Sequence, residues 1–217
     1  MSRTPRLTRE AIVDAAVAVA DQGGVPQVSM RNVGRRLGVE AMSLYHHVHG
    51  KDELLDALAD WFYTRIDVPD PRRPWRTSMR ERALSARAVL ADHPWGVGLI
   101  ESRGNPGPAL LRHHEAVLAC LRQNGFSVPL AAHAFSVLDA YVYGFVVSEA
   151  GLPVGADGME PVLDHMEDVL PEGEYPHLRE LMAFHMRGRD YRYGEEFEPG
   201  LELILDGLEQ RLGHGSA

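Results

Sequence analysis

Between Ser29 and Lys51 the chain concentrates side chains that can hold on to something: Arg31, Ser43, Tyr45, His46, His47, His49 and Lys51. Arg31 offers a planar fork of donors that matches a guanine edge. Ser43, Tyr45 and Lys51 have the chemistry of phosphate contacts, which hold register without reading sequence. Lys51 is the only lysine among 22 basic residues, and it stands where the free amides of a helix start would add to its pull on a phosphate. The three histidines suggest a metal instead. Residues 46 and 49 are about one turn apart, but no carboxylate or thiol is close in sequence, so no metal is expected. A second pair, His113-His114, falls on one helical stretch. Adjacent helix positions diverge by about 100°, so the two cannot easily share an ion, and one should face a pocket or an interface.

Two short helices must position the first cluster. Ser29 is suited to an N-cap, Met30, Val33 and Leu37 give apolar helical spacing, and Gly38 can take the positive φ that closes a C-terminus. Val39 can pack beneath the turn. A second helix over Ala41 to Val48 turns Leu44 and Val48 inward and leaves Met42, Ser43, Tyr45, His46 and His47 largely on its other faces. Helix, glycine turn, helix is the layout of a DNA-reading helix-turn-helix, although a plain core hairpin has the same outline.

The flanks are helical too. Leu7 to Gly24 reads as one amphipathic helix with Thr8 as N-cap and a Gly23-Gly24 stop. Another starts at Lys51, with Asp52 and Glu53 complementing its dipole, and runs to about Ile66. Asp67 to Pro74 holds three prolines in eight residues and marks the one clear boundary. Beyond it only helical patterns occur: Trp75 to Ala91, Trp95 to Glu101, Ala109 to Asn124, Pro129 to Glu149, a looser Pro161 to Val169, Pro176 to Met186, and Pro199 to Leu212. Gly188 to Glu196 reads as a polar loop. The last helix carries a stripe of Leu201, Ile204, Leu205, Leu208 and Leu212, which suits a dimer interface or an ordinary core helix equally.

Charge follows the same division. The net charge of −9 argues against nucleic acid, but residues 1 to 51 hold seven basic groups against four acidic ones, so the remainder carries −12. A basic end on an acidic body lets one surface meet phosphate while the rest stays off it. The apolar runs are interrupted by Asp14 and Asp139, and the N-terminus lacks the apolar core of a signal peptide, so a cytoplasmic protein is expected. Cys120 is the single cysteine, which rules out an internal disulfide; its helical spacing suggests a buried, inert thiol.

The segments LTREAIVDAAVAVADQGG, SMRNVGRRLGVEAMSLYHHV and GKDELLDALAD resemble the DNA-binding domain of the tetracycline-repressor family. LRQNGFS, the long helix with Gly144, and PGLELILDGLEQRL resemble that family's C-terminal segments. The resemblance implies an all-α protein, with a helix-turn-helix domain over residues 1–50, a connecting helix over 51–66 and an effector-binding and dimerisation domain over 67–217. It implies a homodimer on a palindromic double-stranded operator, a small-molecule effector, no cofactor, no membrane and no enzymatic activity. DNA contacts would fall on Arg31, Ala41, Met42, Ser43, Tyr45, His46, His47 and Lys51. Ala41 and Met42 stand where tetracycline repressors have glutamine and proline, which favours apolar contact with thymine methyls. An effector pocket would draw on Arg82, Ala86, Ile100, Ser102, Arg103, His114, Val117, Phe135, Leu138 and Asp139. Arg82 and Ala86 replace an asparagine and a phenylalanine, and the magnesium-binding histidine has no counterpart near Ile100 to Gly104, so tetracycline-magnesium is not the expected ligand. The resemblance also assigns the Leu201 to Leu212 stripe to a dimer interface. The alternatives are a metal-sensing regulator with the same head and an all-helical enzyme built on scattered histidines and carboxylates.

Overall fold

The computed structural model describes residues 7–153, 158–171, 173–187 and 191–214. Among these no β-strand forms, and eleven α-helices follow in order: α1 Arg9–Gly23, α2 Met30–Leu37, α3 Ala41–Leu44, α4 Lys51–Tyr63, α5 Trp75–Asp92, α6 Trp95–Ser102, α7 Pro108–Gln123, α8 Val128–Gly151, α9 Glu160–Val169, α10 Pro176–Leu181 and α11 Phe197–His214.

Local chemistry sets the N-terminal helices. Thr8 Oγ1 accepts the Ala11 N–H and Ser29 Oγ accepts the Asn32 N–H, each at 3.2 Å, so both caps act as expected. Gly38, at φ 69°, closes α2 in the left-handed conformation. The next helix is shorter than the sequence suggests: α3 ends at Leu44 and the chain continues in turns. The amides of His47 and Val48 both return to the Leu44 carbonyl, at 2.9 and 3.0 Å. The Tyr45-His46-His47 run has weak helix propensity, and this doubled bond tightens it while still burying Val48.

Two large apolar clusters result, and α4 belongs to both. Leu54, Leu55 and Leu58 pack with Ile12, Val33 and Leu44 in the head, where Leu99 of α6 joins them. Phe62 and Tyr63 pack with Met79, Val117 and Leu138 in the body. A third, small cluster of Met159, Leu163 and Met182, with Leu178 of α10 packed against it, ties α9 to α10 and the turn that follows it. The Pro176 to Met186 helix changes character at Leu181 and passes into a wider π-type turn over Met182–Met186. Residues 188–190 of the expected polar loop lie outside the described residues; Tyr193–Glu196 is a 3-10 turn, and α11 begins directly after it.

On the flank of the body, Arg76 and Arg80 of α5 grip Glu198, Glu202, Asp206 and Glu209 of α11. That network sets the rotation of α11, with Leu201, Leu205 and Leu208 buried inward and Leu203 74% exposed. By length and composition α8 alone among the described helices is apolar enough to cross a membrane. Its inward residues, including Leu138, Val142 and Val146, are buried against the body.

Candidate functional site

In the head, the residues singled out by chemistry surround the α2–α3 turn and the start of α4. Arg31, Met42, Tyr45, His46 and Lys51 are exposed, while Ala41, Ser43 and His47 are half-buried. Met42 is 73% exposed beside exposed Tyr45, so the outer side of α3 presents apolar and aromatic surface to solvent. Leu44 and Val48, both fully buried, hold α3 by its inner side. Gly34 allows the close crossing of α2 and α3. A Cβ there would stand 2.9 Å from the Val39 carbonyl oxygen and 3.3 Å from the Ala41 Cα. Gly50 leaves the first turn of α4 without a side-chain cap, so its amides beside Lys51 stay open to a phosphate. Arg9 is occupied elsewhere: it binds the His47 carbonyl and Glu53, and Glu53 also accepts the His49 N–H at 2.7 Å. These two donors hold the Glu53 carboxyl below its ordinary range. Arg3 and Arg6 lie outside the described residues.

In the body a cavity of about 440 Å³ opens between α4, α6, α7 and α8. Five of the expected pocket residues line it: Ile100, Arg103, His114, Phe135 and Asp139. The others do not reach its surface. Ala86, Val117 and Leu138 are buried in the core, and Ser102 is exposed, with its hydroxyl turned back to the Leu99 carbonyl at 3.0 Å. Arg82 is 2% exposed and holds Asp139 in place, donating Nη2 to Oδ1 at 2.6 Å and Nε to His113 Nε2 at 2.8 Å. His113 is fully buried. Burial, with the Arg82 charge beside it, drops its pKa to about 3, so it stays neutral and accepts from Arg82. Of the histidine pair, His114 faces the cavity, with its ring perpendicular to Phe135 at 4.8 Å and to Tyr63 at 5.8 Å between centroids. Burial also holds His114 below the ordinary imidazole range.

The sequence reading missed Tyr63 and Tyr143, whose hydroxyls meet at 3.1 Å on the cavity wall, and Glu101 at its edge. Burial raises both tyrosine pKa values, keeping the pair neutral. A signal was present. Asp139 and Tyr143 are four apart in an otherwise apolar helix, and a polar pair on one side of such a helix needs partners.

The cavity is mechanically joined to the head. Arg103 donates Nε to Asp56 at 2.5 Å and Nη2 to the Asp52 carbonyl at 3.3 Å, both on α4. Asn105 adds a bond to Asp56 at 3.0 Å, and Asp60 accepts the Ala109 and Leu110 amides that begin α7. Two carboxylates of α1 fasten the head to the rest. Asp14 accepts from Trp61 and Arg65, and Asp21 from His93 and Trp95 at 2.7 and 2.8 Å.

An open groove of about 660 Å³ runs between α1, α4 and residues 105–108. Four of its five carboxylates are committed to partners: Asp14 to Arg65, Glu53 to Arg9, Asp56 to Arg103 and Asp60 to backbone amides. Among the described residues no three His, Cys, Asp or Glu side chains gather to hold a metal ion. Cys120 is fully buried, and burial raises its thiol pKa.

The outward side of α8 shows small residues every fourth position: Ala132, Ser136, Ala140, Gly144 and Ser148, all exposed, beside Val137 and Val147. On α11 the exposed positions beside the start of α8 are Gly207, Gln210 and Arg211, and Leu203 is exposed one turn before Gly207. Of the expected interface stripe, Leu201, Leu205 and Leu208 therefore belong to the chain's own core, and Ile204 and Leu212 are half-buried at its margin.

Comparison with known proteins gives two family matches: "Bacterial regulatory proteins, tetR family" over residues 12–58, and "Tetracyclin repressor-like, C-terminal domain" over residues 68–212. The chain is 34% identical to the HTH-type transcriptional repressor DrrR1 of Streptomyces coeruleorubidus, covering 98% of this chain and 82% of that one. It is 28% identical to the class D tetracycline repressor protein of Escherichia coli, covering 95% and 91%. Among solved structures, Streptomyces coelicolor ActR in complex with actinorhodin superposes with a TM-score of 0.77 at 29% identity, covering 96% of this chain and 99% of that one.

Proposed function

The chain belongs to the tetracycline-repressor family of DNA-binding transcriptional regulators, and from that premise we propose that it is a homodimeric repressor which a small-molecule effector releases from a palindromic operator. The proposal divides it into a DNA-binding head over residues 1–50, a connecting helix over 51–66 and an effector and dimerisation body over 67–217, working in the cytoplasm. Relatives named as regulators favour this reading over an enzyme.

The observation that carries it is the physical continuity from cavity to head. Tyr63 belongs to α4 and lines the cavity, and Arg103 lines the cavity while gripping α4 through Asp56. A ligand that displaces either side chain acts on the helix whose first turns are packed in the head core. In a dimer that motion changes the separation of two heads reading half-sites about 34–36 Å apart or a multiple of that. Arg31 and the residues Ala41, Met42, Ser43, Tyr45, His46, His47 and Lys51 form the proposed DNA surface. That ActR is solved with actinorhodin supports a ligand in the equivalent body.

The test is a fluorescence-anisotropy titration of the full chain on DNA from upstream of its own gene. Sequence-selective binding that weakens steeply between about 50 and 200 mM salt is expected. No selectivity over random DNA, or affinity indifferent to salt, overturns the proposal. For the dimer, the small-residue side of α8 lets a second copy approach closely, with Leu203 and Gly207 of α11 alongside. Gly144→Glu and Leu203→Glu should each give a monomer by light scattering, and a persistent dimer in both would move the interface elsewhere.

A further inference from the structure

The cavity between α4 and α8 has two kinds of wall. Four aromatic rings, Tyr63, His114, Phe135 and Tyr143, supply flat apolar surface. Two carboxylates supply open oxygens, Glu101 unpaired among the described residues and Asp139 paired with Arg82 through Oδ1 alone. The two guanidinium groups nearby are each paired with a carboxylate, Arg82 with Asp139 and Arg103 with Asp56. Arg82 is engaged by Asp139 and His113 and does not reach the cavity surface, and Arg103 directs its donors at Asp56 and the Asp52 carbonyl. His114, held neutral by burial, adds no positive charge. By contrast Asp139 Oδ2 has no hydrogen-bond partner among the described residues, and Glu101 has neither a hydrogen bond nor an ion pair there.

Three ligand classes can be weighed against those walls. An anion would meet a site in which Arg82 and Asp139 offset one another and Arg103 is paired with Asp56, so that the one unpaired charge lining it, among the described residues, is the Glu101 carboxylate, and would be repelled. A neutral polycycle would use the rings but would strip water from Asp139 Oδ2 without replacing it, which is costly for a carboxylate. A cation replaces that water with a charge-assisted bond and is attracted by the ring faces at the same time. Resting on the reading of this cavity as the effector site, we infer that the effector is an organic cation, a protonated amine carried on a flat apolar body, with the amine against Asp139 and Glu101.

The test uses three molecules that share one body and differ in one group: 1-naphthylmethylamine, 1-naphthalenemethanol and 1-naphthoic acid, titrated into the full chain by calorimetry at neutral pH. The amine should bind at least about tenfold more tightly than the alcohol, and the acid most weakly. Because the whole chain is acidic, the site-specific part is what local variants remove. Glu101→Gln, at an exposed position, and Asp139→Asn, which keeps an acceptor for Arg82, should each narrow the amine's advantage to about threefold or less. An advantage that survives both substitutions, an alcohol or acid that binds as well as the amine, or no binding of the amine overturns the inference. Phe135→Ala separates the two levels. If it leaves the affinities of all binding probes unchanged, they bind outside the cavity and the effector reading itself fails. If it weakens them while the amine shows no advantage, only the charge assignment fails.

Discussion

The head and the body bury their polar groups by different rules. In the head the buried side chains are apolar, the two capping hydroxyls are satisfied, and the chemistry lies outside, on Arg31, Met42, Tyr45, His46 and Lys51. In the body a charged cluster sits inside. Among the described residues, the buried side-chain polar atoms lacking a hydrogen bond all fall there, including Arg82 Nη1, His113 Nδ1, Arg87 Nε and Glu149 Oε2. An unsatisfied buried donor costs free energy, so a module that only had to be stable would be expected to shed it. The difference teaches that the head keeps an apolar interior and carries its polar groups on the surface, whereas the body holds charged groups inside, beneath the cavity wall.

Single substitutions should expose that difference first. Asp139→Ala leaves Arg82 charged and buried, and should cost about 3–5 kcal/mol of unfolding free energy. Replacing the pair together, Arg82→Met with Asp139→Leu, should recover most of that loss. In the head, Leu44→Ala makes a cavity and should cost about 2–5 kcal/mol, with no second substitution to offset it. Urea unfolding at fixed protein concentration reads all three. If the body double variant is no better than Asp139→Ala, the interior charges are there for packing and the contrast between modules is lost.

Acidity should sharpen the same contrast. His113 is neutral in the folded body down to about pH 3, whereas an unfolded histidine takes a proton near pH 6.5. Its folded pKa is depressed, so the stability it allows is complete above about pH 6.5 and is lost as pH falls toward 3, by about 1.4 kcal/mol per pH unit. His113→Gln keeps an acceptor for Arg82 Nε and removes the titration. Stability measured at steps from pH 6.5 to 4.5 should therefore fall more steeply for the wild type than for this variant. Parallel slopes would show that His113 takes up a proton without unfolding.

On the head surface the expected effects are smaller and differ in kind. Arg31→Ala should relax sequence preference, costing about 1–3 kcal/mol on the operator and little on random DNA. Lys51→Ala should weaken both DNAs alike and reduce the salt slope by about one. Anisotropy titrations on both DNAs at several salt concentrations separate the two. Equal losses on every sequence for both variants would make the head a uniform phosphate binder.

How much of this was legible in the sequence follows the same division. The caps Thr8 and Ser29, the Gly38 turn and the inward Leu44 and Val48 are local, so periodicity and turn chemistry revealed them. The tight Gly34 crossing depends on which backbone lies opposite, and the pattern did not show it. In the body the helices were readable to within a few residues, but the site was not. Arg82 and Leu138 were placed on the pocket by resemblance, yet one neutralises Asp139 from beneath and the other is core. Whether a side chain at a given helical position faces a cavity or the layer under it depends on the rotation of the helix, and for α11 long-range ion pairs to Arg76 and Arg80 set that rotation. The expected stripe of Leu201, Ile204, Leu205, Leu208 and Leu212 is therefore a true amphipathic face, of which Leu201, Leu205 and Leu208 belong to the chain's own core and Ile204 and Leu212 lie at its margin.

The smallest effect concerns the seam between the two modules. Their apolar cores meet through α4 and through Leu99, which α6 lends to the head. Trp95 of α6 packs against both clusters as well, and around these contacts the seam carries polar bonds, among them Asp21 at the end of α1, which accepts from both His93 and Trp95. These bonds are partly exposed, so Asp21→Ala should cost only about 0.5–1.5 kcal/mol. The location of the loss distinguishes a seam from ordinary surface. With the latch gone, α1 is held to the body by Asp14 and by α4, so the head should open at lower temperature than the body. Hydrogen exchange should then rise in α1 to α3 while α5, α7 and α8 keep their protection. Uniform loss of protection across both modules would mean that head and body unfold as one unit. The contrast drawn between them would then describe their chemistry and not their mechanics.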